Sequence, residues 1–518
     1  MSAQHAFHDF GALHFGRRAE LDPEEARRVR EAVRDSGVRE LYVLAHGAHN
    51  DDAVSEAADD AFCAILAEAW GDASREVGLL TVRWPSLCFR DEGIWGHGEA
   101  ETTREEEARP GISAAMGDDL RRRLPDSEGL LSEIIGLLNE RPSHDGAFDD
   151  LGSALRRLAE TPLQDPLTEF GADTEGEILP QADPLMLFED TKTMCCEFAG
   201  VLDDLVESED EDPGEPARHE TGTGDPDAPV SEEGTLPEIR VAGHRPAKPL
   251  SGRVSRVGTA AGGGPMGQER DRQEYAEVWR GAHELFRQVV RHVLRRRAGV
   301  VGEAGLGPFL ADLTDSSGTR IHLVGHGLGG RLAGFALRGL EPGGKDTGRL
   351  ASLTLLQAEM SHFAFADSLP QQVAGHGALW GLRRRIEGPL VCTFSHLDTH
   401  LGVMYPLSAQ MMGDTAEMAT MSRKWGALGF DGIQGVDGPP DITVDAASER
   451  DLGEMSYTNV DSSSLFRSQR IPVGGHHDVL HPDLGRLLRQ VAESGKDRDR
   501  DRDTDADAED VEPGTDIE

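Results

Sequence analysis

Residues 321–340 read IHLVGHGLGGRLAGFALRGL. In this stretch an apolar run is followed by a glycine-dense turn and then by a segment with apolar residues at helical spacing. The run from Ile321 to Gly325 is almost entirely apolar and predicts a buried strand. From Leu328 onward, apolar residues recur every three or four positions, which predicts a helix. Four of the six residues in 325–330 are glycine. Strand and helix can therefore join in a tight turn that presents its central residue, Gly327.

Short apolar runs alternate with helix-like patterns on both sides of this segment. Strands buried on both faces are predicted over Glu40–Ala45, Gly78–Trp84, Arg320–Gly325, Ser352–Gln357 and Leu390–Phe394. Helices are predicted over Pro23–Asp35, Asp51–Ala69, Glu274–Arg297, Leu328–Leu340 and Asp483–Glu493. Such alternation is typical of the α/β class, in which helices flank a mostly parallel sheet.

The pattern divides the chain into four parts. Residues 1–100 and 273–493 carry the strand and helix alternation and form the predicted α/β core. Residues 101–205 include several amphipathic helical stretches, which predict a helical cap inserted into that core. Residues 206–272 are rich in Glu, Asp, Gly and Pro and are predicted to be a disordered acidic insert. Residues 494–518 form a predicted disordered charged tail.

The overall charge limits the partners. With 52 Lys and Arg against 94 Asp and Glu, the net charge is −42, so phosphate backbones and anionic lipid surfaces would repel the chain. No apolar run approaches the roughly 20 residues of a transmembrane helix. We therefore expect no nucleic-acid and no membrane partner. Five cysteines without a CxxC pair and an opening sequence without a basic and apolar leader predict a reducing, cytoplasmic location.

The turn around Gly327 resembles the nucleophile elbow of the α/β-hydrolase superfamily, the serine esterases and lipases. That elbow reads G-x-S-x-G, and its central serine sits in a strained conformation at the end of a strand. Here Gly327 stands in the place of the serine. Glycine tolerates the strained backbone but has no hydroxyl with which to attack a carbonyl. The resemblance thus implies a degenerate nucleophile position.

Other segments match the superfamily in chain order. His46-Gly47-Ala48 follows the first predicted strand and looks like the HG-type loop that supplies oxyanion-hole donors. The resemblance implies that backbone N–H groups near Ala48 and Leu328 face one pocket. It places His326 and Trp84 in the walls of that pocket, where elbow and strand ends meet.

The acid and the base of the superfamily also have counterparts. Asp398 lies just past the strand Leu390–Phe394, where the resemblance implies the catalytic acid. His476 precedes the last helix, where it implies the catalytic histidine, and His477 is the second choice. The order of elbow, acid and histidine is the one expected of this superfamily.

Two functional interpretations follow from the resemblance. The leading one is a pseudo-hydrolase that binds a small ester, acyl or lactone-like ligand, or a protein partner through the cap and the acidic insert. The alternative is an active hydrolase or lyase in which an Asp398–His476 dyad activates water and backbone donors stabilise the oxyanion.

A third interpretation is dinucleotide binding. Gly325, Gly327 and Gly330 also satisfy G-x-G-x-x-G after a strand. However, the acidic residue after the next strand, Glu359, lies 29 residues beyond Gly330, whereas the ribose contact expects about 20. Histidines are frequent in the predicted loops, yet no HExxH or similar motif is present. We therefore predict no metal and no cofactor.

Overall fold

The computed structural model describes most of the chain outside the acidic insert and the tail. The described residues are 7–48, 52–89, 111–159, 173–175, 190–210, 265–340, 349–369, 375–411, 426–437, 441–453, 455–465, 476 and 480–494. Within these ranges, no helix is long and apolar enough to cross a bilayer.

Eight strands form one sheet in which every neighbouring pair is parallel. They are β1 (His8–His14), β2 (Glu40–Ala45), β3 (Val77–Arg83), β5 (Arg320–His326), β6 (Ser352–Leu356), β8 (Leu390–Phe394), β9 (Ile442–Thr443) and β10 (Thr458–Asp461). Their order is β1-β3-β2-β5-β6-β8-β10-β9, so β5 and the turn after it are central. Two short strands, β4 (Thr174–Glu175) and β7 (His376–Gly377), pair separately and antiparallel.

The helices lie on both faces of this sheet. They are α1 (Pro23–Ser36), α2 (Asp52–Trp70), α3 (Ala114–Arg123), α4 (Glu128–Glu140), α5 (Gly146–Ala159), α6 (Thr191–Asp210), α7 (Pro265–Val300), α8 (Gly307–Ser317), α9 (Leu328–Gly339), α10 (Tyr405–Met411), α11 (Leu428–Asp431), α12 (Val444–Glu449) and α13 (Pro482–Ser494). Local chemistry sets the ends of α1: Asp22 caps it, Pro23 occupies the first turn, and Gly37 follows in the left-handed conformation. The predicted α/β class, a mostly parallel sheet flanked by helices, is confirmed.

Each face of the sheet has its own apolar core. Successive residues of β2 alternate between them, because side chains along a strand point to opposite faces. Leu41 and Val43 belong to the core that includes residues of α1, α7, α8 and α9, whereas Tyr42 and Leu44 belong to the core that includes residues of α2, α12 and α13. The helices of the predicted cap, α3 to α6, join the first of these cores rather than forming one of their own.

The predicted elements are found with small shifts at their ends, and the predictions need two corrections. The edge strands β1 and β9 and the neighbouring strand β10 were not predicted, because they are short or carry polar residues at alternate positions. Helix α6 continues to Asp210 and α7 begins at Pro265, so both ends of the predicted insert are helical. Residues 211–264, and the tail from 495, lie outside the described residues.

A glycine permits the close approach of α9 to the end of β2. A Cβ on Gly329 would clash with the backbone carbonyl oxygens of Ala45 and His46, which cannot swing aside as a side chain can. We expect Gly329→Ala to lower the free energy of unfolding by about 1–3 kcal/mol, as overpacking does. Gly136→Ala is the control, because a Cβ there meets nothing within 4 Å and should stabilise α4 by about 0.5–1 kcal/mol. Urea unfolding of the two variants measures the difference, and equal effects would contradict this account of the turn.

Candidate active site

The turn between β5 and α9 holds Gly327 in a conformation that L-residues with side chains rarely adopt. Its φ is 53° and its ψ is −120°. The turn is also tied to the end of β6, because the Gly327 N–H donates to the carbonyl of Leu356 and its carbonyl accepts from the N–H of Glu359, both at 3.0 Å. Gly327 is therefore fixed at the carboxyl edge of the central strand.

Asp398 and His476 form a buried hydrogen-bonded pair. Asp398 follows β8, and its Oδ2 lies 2.7 Å from Nδ1 of His476. Its other oxygen, Oδ1, accepts from the N–H of Leu401 at 3.0 Å. Asp398 is fully buried and His476 is 3% exposed. Because the carboxylate accepts from Nδ1, the neutral imidazole carries its lone pair on Nε2.

The imidazole of this pair faces the turn. A Cβ built on Gly327 would lie 3.0 Å from Nε2 of His476 and 4.0 Å from Cα of Gly47. The structure thus brings together three residues predicted as one site from distant parts of the sequence: Gly327, Asp398 and His476. Their catalytic roles stay predictions. His477, the second-choice base, lies outside the described residues.

The loop His46-Gly47-Ala48 reaches the same point from β2. It is buried, and the indole Nε1 of Trp84 donates to the carbonyl of His46 at 3.2 Å, which holds the loop in place. Leu328 opens α9, and the first N–H groups of a helix have no acceptor within it. The role predicted for the loop and the helix start, as backbone donors to a carbonyl oxygen placed at Gly327, stays a prediction.

Two further histidines surround His476. Nε2 of His326 donates to the backbone carbonyl of His476 at 2.9 Å, which connects the backbone at His476 to the turn that contains Gly327. The ring of His326 lies 5.1 Å from that of His476, and the ring of His400 lies 5.3 Å away on another side. The place of His326 in a pocket wall stays a prediction, and the contact of His400 with His476 was not predicted.

A buried ionic network that includes Arg291 and Arg295 of α7 lies beside His400. Arg291 donates to Glu359 at 3.0 Å and to Nε2 of His400 at 2.9 Å, and Arg295 donates to Glu359 at 3.3 Å. Burial alone would raise the pKa of Glu359, but the charge of Arg291, with smaller contributions from His400 and Arg295, holds it well below its usual range. Burial and then the charge of Arg291 lower the pKa of His400, which is therefore neutral at pH 7.

This network bears on the dinucleotide interpretation. The carboxylate that would have to bind a ribose is Glu359, which is 1% exposed and held by two arginines. The geometry at Gly327, with an imidazole against it, also differs from a glycine turn open to a pyrophosphate. Both observations disfavour dinucleotide binding at this turn. Within the described ranges, no group of three or more His, Cys, Asp or Glu side chains lies close enough together to hold a metal ion.

Fold and site together define a class: an α/β protein in which a buried Asp–His pair faces a strained glycine at the end of a central parallel strand. Comparisons of the chain with protein-family models, with curated proteins and with solved structures find no match. The function of the site therefore rests on its own geometry.

Proposed function

We propose that this chain is an α/β-hydrolase-like protein that binds a small ester, acyl or lactone-like ligand at Gly327 and cannot form an acyl-serine there. The observation that carries the proposal is the 3.0 Å distance between Nε2 of His476 and the missing Cβ of Gly327. In the superfamily, the serine stands at this point, with its base beside it. The remaining parts of such a site surround a residue that has no side chain.

Further support comes from where the parts stand along the chain and in the sheet. The elbow follows the central strand β5, the acid follows β8 and the histidine follows β10. Carboxyl ends of parallel strands share one edge, which is where ligands bind in open α/β sheets. Donors from α9 and from the His46-Gly47-Ala48 loop suit the oxygen of a bound carbonyl group.

A fluorophosphonate probe tests the proposal. Such probes react with an activated serine hydroxyl, so the wild-type protein is expected to remain unlabelled on serine. Intact-mass spectrometry after incubation, followed by peptide mapping, measures the labelling. Stoichiometric modification of any serine would show that a nucleophile exists elsewhere and would end this form of the proposal.

A second candidate function keeps catalysis. The 2.7 Å contact between Asp398 and Nδ1 favours it, because the contact orients Nε2 as a general base for water. If the dyad is catalytic, His476→Ala should lower kcat/KM for 4-nitrophenyl acetate by about 10²-fold or more. Circular dichroism checks that the variant is folded, and unchanged turnover in a folded variant rejects catalysis by the dyad. The protein partner predicted for the acidic insert involves residues outside the described ranges and stays a prediction.

A further inference from the structure

The imidazole of His476 stands closer to the elbow than a base acting through a serine would need to. Its Nε2 lies 3.0 Å from the position of a Cβ on Gly327 and would be in tight contact with that atom. Reacting atoms in productive complexes approach to about 3–3.5 Å. Because Gly327 has neither Cβ nor hydroxyl, a bound carbonyl carbon can approach Nε2 directly.

The electronic state of the ring suits such an attack. Asp398 accepts from Nδ1 at 2.7 Å, so the lone pair is on Nε2. An acyl group on Nε2 leaves the ring positively charged, and that charge would form against the buried carboxylate of Asp398. Two opposite charges attract more strongly in a buried site than in water. Asp398 therefore stabilises the acylated ring more than the free one.

We propose that Nε2 of His476 is itself the nucleophile and accepts acyl groups from activated acyl donors. The inference rests on the proposed function, because it needs a carbonyl compound to bind at the elbow. It differs from the water-activating alternative in the atom that attacks the carbonyl carbon, which is Nε2 here and a water oxygen there. A covalent N-acyl intermediate forms only when Nε2 attacks.

The step balances without a further reactant. Nε2 forms a bond to the carbonyl carbon, and the π electrons move onto the oxygen, which the backbone donors of Leu328 and the His46-Gly47-Ala48 loop stabilise. When the carbonyl re-forms, the leaving group departs as an anion with the bonding electron pair. Water then adds to the acyl carbon and loses one proton, which neutralises the released leaving-group anion directly or through solvent. The C–N bond breaks with its electrons returning to Nε2. The carboxylic acid leaves and the neutral imidazole is restored.

The chemistry also sets the substrate class. An N-acyl imidazolium is itself highly reactive, so only a donor with a good leaving group can form it. Aryl esters, thioesters and acyl phosphates meet this requirement, whereas alkyl esters and amides do not. The ligand class is therefore narrower than that of a serine hydrolase, whose alkoxide nucleophile is stronger.

The test is the partition of the acyl group between water and hydroxylamine. Purified full-length protein is incubated with 4-nitrophenyl acetate or with phenyl acetate at one fixed hydroxylamine concentration. A common N-acetyl intermediate gives the same ratio of acetohydroxamate to acetate from both esters, because the leaving group has already departed. We expect this constant ratio in the wild type. In His476→Ala we expect enzymatic turnover to be lost, and the constant ratio to be lost with it.

Gly327→Ala is the matched control. Its methyl group would occupy the position 3.0 Å from Nε2 and keep the carbonyl carbon away, so turnover is expected to fall by about 10²-fold. A ratio that changes with the leaving group would favour general-base catalysis and overturn the inference. A constant ratio that persists in His476→Ala would also overturn it, and so would turnover that does not depend on His476. Each of these results leaves the proposed function standing. That proposal is tested separately by fluorophosphonate labelling.

Discussion

Gly327→Ser is expected to create an esterase that fluorophosphonates label. The new hydroxyl would lie beside Nε2 of His476, whose Nδ1 is already held by Asp398. A side chain at φ 53° adds backbone strain, which the serine variant has to accommodate as the serine of the superfamily's elbow does. The imidazole has to retreat by a few tenths of an ångström to admit the Cβ. We expect kcat/KM for 4-nitrophenyl acetate to rise by about 10²-fold or more, since loss of the serine in a triad costs far more than that.

The control for this gain is Gly327→Ala, which adds the same Cβ and the same strain without the oxygen. Labelling should appear in the serine variant alone and should disappear when His476→Ala is combined with it. Circular dichroism and urea unfolding establish that each variant is folded. A folded serine variant that is neither labelled nor active would contradict the proposed alignment of base, turn and backbone donors.

The turn at Gly327 could be predicted from the sequence because its backbone geometry requires particular residue types. A positive φ and a close helix approach favour glycine, so the turn at Gly327 is visible as GHGLGG. Asp398 and His476 were implied by the resemblance to the superfamily, which carries its acid and its histidine at these places in the chain, although 78 residues separate the two. The order of the elements, however, does not reveal that Nε2 lies 3.0 Å from the Cβ position.

The ionic network could not be predicted in the same way. Arg291 and Arg295 lie one helical turn apart in RQVVRHVLRRR, a spacing that normally indicates a solvated face. Their partner, Glu359, is 68 residues from Arg291, and only the packing of α7 against the end of β6 joins them. Local sequence carries no signal for such a contact. Strand β10, which lies between β8 and β9, was missed because its sequence TNVD has no apolar run.

Removing the charge of Glu359 should be among the most destabilising single changes. Glu359→Gln would leave Arg291 and Arg295, which are 5% exposed each, without their shared carboxylate. Removing one partner of a buried ion pair typically costs about 3–5 kcal/mol, because a charge remains buried without its counter-charge. Urea unfolding at pH 7 measures the loss. Glu31→Gln, which removes an exposed partner of Arg27 on α1, is the control and should leave the midpoint unchanged.

The pH dependence of that loss separates the charge of Glu359 from its shape. The pKa of Glu359 is lowered in the folded protein, whereas in the unfolded chain it returns to its ordinary value of 4.5. The stabilisation is therefore present above about pH 4.5 and falls as the pH is lowered, since the unfolded chain takes up a proton that the folded one does not. Glu359→Gln has no such titration. The stability difference between wild type and variant should thus shrink steadily between pH 5 and pH 3, roughly the range that includes this ordinary value. A stability difference between wild type and variant that stays constant over this range would mean that Glu359 stabilises the protein by its packing and not by its charge.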